Sequence, residues 1–231
     1  MPERVVRGNA VPSTEVRAMF DRIAPVYDVM NSVMTLGLDA RWRRSAARAA
    51  DLDGSGRAID VACGTGALAE ELARSAEVAG IDLSPRMIER ARRRVPAGRF
   101  AVADALALPF PDGAFDAATI GFGLRNMPDY RACLAEMVRV VRPGGRVVVL
   151  EIAAPRRGPL AWLLRAWFER VVPLLGRVVG APDAYRYLPA SVRAYPDPVS
   201  VADLMCDAGM TAVRWRRLRP GLVTLHVGRR A

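Results

Sequence analysis

Hydrophobic positions along the chain fall into two rhythms. Near the start, Val16, Met19, Phe20 and Ile23 recur at helical spacing, which predicts a helix opened by the Ser13 hydroxyl and ended by Pro25. Residues 27–34 and an arginine-rich stretch over 42–50 read as further helices. Together, 13–50 form a helical cap ahead of the first strand. From there short apolar runs take over: Ala58, Ile59 and Val61, then 78–81, then Phe100 and Val102, then 117–120, then a continuous run over 146–152. Helical patterns separate these runs. One begins at Ala67, one runs from Ser84-Pro85 to Val95, and one follows Asp129 with Leu134, Met137, Val138 and Val141 inward, ending at Pro143-Gly144-Gly145.

Strands alternating with helices through short turns predict an α/β fold whose mostly parallel sheet carries helices on both faces. Residues 155–195 leave this rhythm. Leu160, Leu163, Leu164, Trp167, Phe168, Val171 and Val172 follow helical spacing with arginines opposite, so the stretch reads as a helical insert facing a substrate or a membrane. Ordinary packing against the domain is the competing reading. After a helix opened by Asp197-Pro198 and closed by Gly209, β segments over 212–218 and 222–227 meet around Pro220-Gly221, predicting an antiparallel hairpin at the sheet edge. With 231 residues and 52% hydrophobic content, the chain builds one substantial core, so a single domain spanning 1–231 is expected.

The candidate chemistry gathers where the first strand stops. Asp60 is followed by Gly64-Thr65-Gly66 and a helix start, a turn where a ligand can approach the main chain and meet helix N-terminal amides. That turn alone also satisfies a dinucleotide fingerprint. Asp82 ends the second run, placed to reach ribose hydroxyls, and Asp104 follows the third. Three acids at successive strand ends suit S-adenosylmethionine, which carries a sulfonium and an ammonium. A pyrophosphate would be repelled. NAD-dependent oxidoreduction is therefore the weaker enzyme reading.

Composition narrows the picture further. The formal charge of +10 is carried by arginine alone, for the sequence contains no lysine, and it persists at every physiological pH. An anionic partner or a GC-rich genome accounts for it equally well, and a non-enzymatic membrane-surface or nucleic-acid-binding module is the alternative from another class. No nucleic-acid motif accompanies the charge. Cys63, Cys133 and Cys206 lack metal-ligand spacing and His226 is the single histidine, so no metal site is expected. The start of the sequence lacks the apolar core of a secretory signal and no stretch reaches the roughly 20 apolar residues of a membrane span. The expected location is cytoplasmic, with peripheral contact at the cytoplasmic membrane face left open.

Several collinear stretches over 15–228 resemble the menaquinone and ubiquinone biosynthesis C-methyltransferases. They include Phe20-Asp21-Arg22-Ile23-Ala24-Pro25-Val26-Tyr27-Asp28, Leu36-Gly37-Leu38-Asp39 with Trp42-Arg43, Asp60 to Gly66, Phe122-Gly123-Leu124-Arg125-Asn126, Arg142-Pro143-Gly144-Gly145-Arg146 and Tyr185-Arg186-Tyr187-Leu188-Pro189. The resemblance implies a Rossmann-like class I methyltransferase fold with seven strands, using S-adenosylmethionine. Asp60, Gly64, Thr65 and Gly66 are then expected at the cofactor turn, Asp82 at its ribose, and Asp104 with Ala105 near its adenine. Two positions depart from the family pattern: Ala67 stands where an aspartate is common, and Gly121 where serine or alanine is frequent.

The acceptor implied by the resemblance is a polyprenyl naphthoquinol, demethylmenaquinol, with a benzoquinol precursor of ubiquinone or another phenolic aromatic as the alternative. Methylating a ring carbon beside a phenol of pKa about 10 requires that the phenolate be favoured in the transition state. Arg125 is expected to stabilise the phenolate and Asn126 to orient the oxygen. Tyr27, Asp28, Tyr185 and His226 are the remaining candidates around the substrate. His226 is a candidate proton acceptor, although on an apolar strand a structural role competes. A homodimer is left open.

Overall fold

The computed structural model describes residues 8–153 and 182–231, with side chains of 182–186 excluded. The expected helical insert over 155–195 falls largely outside these residues. Three helices come first: α1 (Ser13–Ile23), α2 (Tyr27–Thr35) and α3 (Leu38–Ala49). Ser13 is the first helical residue of α1, behind Pro12, and no side chain caps that helix; the proline's fixed φ starts the turn where a hydroxyl cap was expected. Strands β1 (Gly56–Val61), β2 (Ala76–Asp82), β3 (Arg99–Val102), β4 (Phe115–Gly121) and β5 (Val141–Ile152) then alternate with α4 (Ala67–Leu72), α5 (Pro85–Arg94) and α6 (Tyr130–Val140). Beyond the undescribed segment lie α7 (Pro182–Ala194), α8 (Pro198–Asp207), β6 (Met210–Leu218) and β7 (Val223–Arg230).

One seven-stranded sheet results, in the order β3-β2-β1-β4-β5-β7-β6. Strands β1 to β5 pair in parallel, whereas β7 runs antiparallel to both β5 and β6, so the predicted terminal hairpin is inserted with β7 inside and β6 at the edge. Because side chains alternate along a strand, the central strands β1, β2, β4 and β5 feed two cores. Ile59, Val61, Ile120 and Val149 pack on one face with Leu134, Met137 and Leu204 from α6 and α8. On the other face Ala58, Ala117, Val148 and Leu150 meet Trp42, Leu68, Leu72 and Ile88 from α3, α4 and α5. A third cluster, of Met19, Ile23 and Met30 packed with Tyr187 and Leu188, ties the helical cap to α7. The order reverses between β1 and β4, and in such sheets the crevice beyond the strand ends at that point is where ligands bind.

Candidate active site

At the end of β1 the chain turns through Ala62, Gly64 and Gly66, all with positive φ. Only glycine adopts such angles without strain, and at Gly66 a β-carbon would also come within 3.0 Å of the Ala91 backbone. The turn thus lets α4 start close against α5. Asp82, at the end of β2, accepts the Gly64 N–H at 2.9 Å through Oδ2 and the Ser84 N–H at 2.9 Å through Oδ1. Burial pushes its carboxyl above the usual carboxylate range. Asp104 accepts from Leu106 N at 2.9 Å.

Gly64, Asp82, Asp104 and Ala105 line a cleft of about 70 Å3, and Phe20 of α1 closes its outer side. Ser84 reinforces that closure by donating from Oγ to Asp21 of α1 at 2.5 Å. Asp60 lies behind the turn, 1% exposed. Its Oδ1 accepts from Thr119 Oγ1 at 2.7 Å, while its Oδ2 is buried with no hydrogen-bond partner. Burial pushes its pKa up to about 7. An orphaned acidic oxygen, an open glycine turn and Asp82 and Asp104 on the cleft wall fit a cationic nucleoside.

Thr65 is engaged by the protein itself. Its hydroxyl donates to Asp28 Oδ1 at 2.6 Å, and Arg94 donates to Thr65 Oγ1 at 3.0 Å, to Thr65 O at 3.2 Å and to Asp28 Oδ2 at 2.9 Å. Both Asp28 oxygens are thereby engaged, and Asp28 latches the cap onto the glycine turn. Arg94 reads in sequence as part of a solvated arginine face; only the approach of α5 to the turn makes it a clasp.

A second and larger cavity, about 300 Å3, adjoins the cleft and shares Tyr27 and Phe122 with it. Most of its wall is apolar, including Met34, Leu38, Leu188, Leu222 and Val223. Phe122 holds a left-handed φ of 60°, a strained conformation for a bulky residue. It is pinned on several sides. Its N–H donates to Leu150 O at 2.7 Å, its carbonyl accepts from Arg125 Nη1, and its ring lies 5.8 Å from the Arg43 guanidinium and 6.4 Å from the Trp42 ring.

Arg125 reaches this cavity from the 3-10 turn Leu124–Asn126 after β4 and is 6% exposed. Glu151 of β5, fully buried, accepts from Arg125 Nη1 at 2.7 Å and from its backbone N at 3.2 Å. Burial opposes the guanidinium charge, but Glu151 and then Tyr27 outweigh it and the pKa is raised. Arg125 Nε–H, however, is buried without a partner. Asn126 accepts from the Tyr187 hydroxyl at 2.9 Å, and that hydroxyl also meets Asn9 Nδ2 at 2.5 Å; burial raises the Tyr187 pKa, keeping it a neutral donor. Glu151 was not anticipated from sequence. An acid inside the apolar run 147–152 was the available signal, since a buried charge demands a partner.

His226 sits fully buried on β7, with Nε2 2.9 Å from Pro198 O and its ring stacked on Trp215, and it lines neither cavity. Burial lowers its pKa, as for a neutral structural histidine. The side chain of Tyr185 lies outside the described residues. Among those residues no cluster could hold a metal, and no helix is long and apolar enough to cross a membrane.

Comparison with known proteins agrees with this geometry. The model of the ubiE/COQ5 methyltransferase family matches residues 9–230. A demethylmenaquinone methyltransferase of Thermus thermophilus is 48% identical over 220 residues, covering 92% of this chain and 100% of that protein. A ubiquinone/menaquinone biosynthesis C-methyltransferase of Citrifermentans bemidjiense is 42% identical over 92% of this chain and 95% of its own. Among solved structures, an S-adenosylmethionine-dependent methyltransferase of Thermotoga maritima, described as a possible histamine N-methyltransferase, superposes with a TM-score of 0.68 at 20% identity, over 93% of this chain and 99% of that one. That last likeness concerns the fold.

Proposed function

We propose, from the premise that the chain belongs to the ubiE/COQ5 methyltransferase family, that it methylates a ring carbon of demethylmenaquinol to give menaquinol. The observation that carries this reading is Arg125, paired with the buried Glu151 and lining a largely apolar cavity that shares Tyr27 and Phe122 with the acid-lined cleft. S-adenosylmethionine is the proposed cofactor, supplying an electrophilic methyl group when bound. Asp82 and Asp104 would hold its nucleoside part, and Gly64 its approach to the main chain. Asp60, two residues before Ala62 of the cleft wall, would balance its positive charge.

The residues around the larger cavity have separate tasks. Arg125 donates from its guanidinium to the hydroxyl oxygen beside the reacting carbon and so favours the phenolate, while Glu151 keeps the guanidinium in place. Because a guanidinium is a poor base, the proton leaves to another acceptor. Asn126, locked by Tyr187, orients the acceptor at the junction with the cleft. The apolar wall takes the first part of the prenyl chain and excludes water, which strengthens the charge interactions inside. A chain longer than the cavity must leave it, and Leu36 of its wall is exposed, in an uncharged stretch that also exposes Val29 and Val33. Peripheral contact with a membrane there belongs to the same proposal.

The test incubates the protein with labelled S-adenosylmethionine and reduced demethylmenaquinone in detergent. Wild type is expected to label the ring carbon. Arg125→Ala should lose at least roughly a hundredfold in kcat with cofactor binding retained, and Asp82→Ala should lose cofactor affinity first. Melting curves accompany both, because Arg125→Ala leaves Glu151 buried and unpaired, at a cost of about 3–5 kcal/mol. Methylation of a benzoquinol in preference to the naphthoquinol would redirect the reading to ubiquinone synthesis, and absence of cofactor binding would end it.

A further inference from the structure

One wall of the larger cavity carries polar groups that the proposed reaction does not use. Asn31, Thr35, Asp39 and Arg43 recur every four residues and all line it. Such spacing puts side chains above one another on a helix, and here the row continues across the junction of α2 and α3, where Leu36 and Gly37 both take left-handed φ. The groups are connected. Thr35 Oγ1 lies 2.8 Å from Asn31 O and 3.1 Å from Asp39 Oδ1, and Arg43 Nη1 donates to Asp39 Oδ2. Asp39 and Arg43 side chains are 6% and 13% exposed, and the guanidinium rests over the Phe122 ring.

Two independent guanidinium–carboxylate pairs therefore reach one otherwise apolar cavity: Arg125 with Glu151 from the sheet, and Arg43 with Asp39 from the cap. Removing ion pairs from water is costly, and apolar residues in their place are often neutral or stabilising. Packing alone does not call for two such pairs. A ligand with one polar end meets one of them. A flat ring with hydroxyls on opposite edges meets both, with its apolar faces against Phe122 and Leu188.

We propose that Asp39, oriented by Thr35 and Arg43, accepts a hydrogen bond from the second hydroxyl of a para-dihydroxy aromatic acceptor whose first hydroxyl is held at Arg125. This rests on the function proposed above and narrows its substrate class. A carboxylate offers acceptors only, so it pairs with a hydroxyl and opposes a carbonyl. The site thereby selects the reduced ring over the oxidised quinone, which has no nucleophilic carbon to offer. Asp39 and Arg43 are specificity residues of the cap, in contact with the acceptor and remote from the three acids of the cofactor turn in sequence.

The test compares kcat/KM for a prenylated 1,4-dihydroxynaphthalene and for the 3-prenyl-1-naphthol that lacks the second hydroxyl. Wild type is expected to favour the diol by roughly tenfold or more, the range for losing a hydrogen bond to a charged partner. In Asp39→Leu the ratio should fall to about one, and in Arg43→Gln and Thr35→Val, which leave the carboxylate without one of its orienting partners, to an intermediate value. Using a ratio cancels any general loss of folded enzyme. A wild-type ratio of about one, or a ratio unchanged in the variants, overturns the inference while leaving methyl transfer intact; failure of wild type to methylate either compound counts against the proposed function itself.

Discussion

Asp60 has its side chain fully out of water, with one oxygen bonded to Thr119 and the other to nothing. Its pKa, raised by burial from 3.8 to about 7, couples folding to pH. Between these values the folded chain keeps a proton that the unfolded chain has released, so this group lowers stability progressively as pH rises from about 4 to 7, with the full penalty above. That penalty is on the order of a few kcal/mol. Denaturant titrations of wild type and Asp60→Asn at the two ends of this window should show the difference between them moving in favour of the variant at the higher pH. A difference that stays constant with pH would mean that Asp60 is already ionised in the folded chain. The acid itself was legible in the sequence, as were Asp82 and Asp104, because each follows a β-propensity run. Its partner Thr119 was not, since the two meet only through the parallel register of β1 and β4.

At the level of elements, α5 does more than cover the sheet. Arg92 donates to Phe100 O at 2.8 Å, and Arg94, at the last turn of the helix, joins Asp28 of α2 to Thr65 of the glycine turn. The cap is thus held to the cofactor turn by one side chain with a planar fork of donors. Arg94→Ala should cost about 1–2 kcal/mol, Arg94 and Asp28 being 26% and 32% exposed. Because the turn loosens with it, cofactor affinity measured by calorimetry should fall several-fold. Arg94→Lys should recover little, for an ammonium cannot span Thr65 and Asp28 together. Element identities were readable from periodicity and from caps such as Ser84, Asp129 and Asp197, each of which accepts the expected amide. What Arg94 touches was not readable, because an arginine on an outer helix face has the same local pattern whether it meets water or a loop.

Taken whole, the molecule joins an arginine excess to one uncharged outer region. Residues 29–38 contain no charge in a chain that is 25% charged; Val29, Val33 and Leu36 are 67%, 44% and 81% exposed, and Leu36 also lines the acceptor cavity. Exposed Arg22, Arg41 and Arg44 flank it. Apolar side chains bordered by cations suit the boundary of an anionic bilayer. Co-sedimentation with phosphatidylglycerol vesicles should therefore weaken as salt rises from roughly 0.05 to 0.5 M, and weaken several-fold in Val29→Ser with Leu36→Ser. Binding indifferent to both would remove this region as the contact. The stretch with Trp162 and Trp167, read from sequence as part of an insert facing a substrate or a membrane, with ordinary packing as the competing reading, lies outside the described residues.

Local chemistry determined the alternation of strands and helices, the glycine turn after Asp60 and the acids at the strand ends, because each depends on residues within one turn or one strand of each other. Motif order carried the family. Tertiary structure decided which of those groups face a ligand: it turned Thr65 and Asp28 toward Arg94, withdrew His226 beneath Pro198, gave Arg125 its Glu151, and stacked Asp39 and Arg43 along a cavity wall. Those outcomes hinge on contacts between residues separated by 20 or more positions in most cases, and on how much water each contact excludes. Charge, capping and periodicity are properties of a sequence, whereas burial and partnership exist only once distant segments have met.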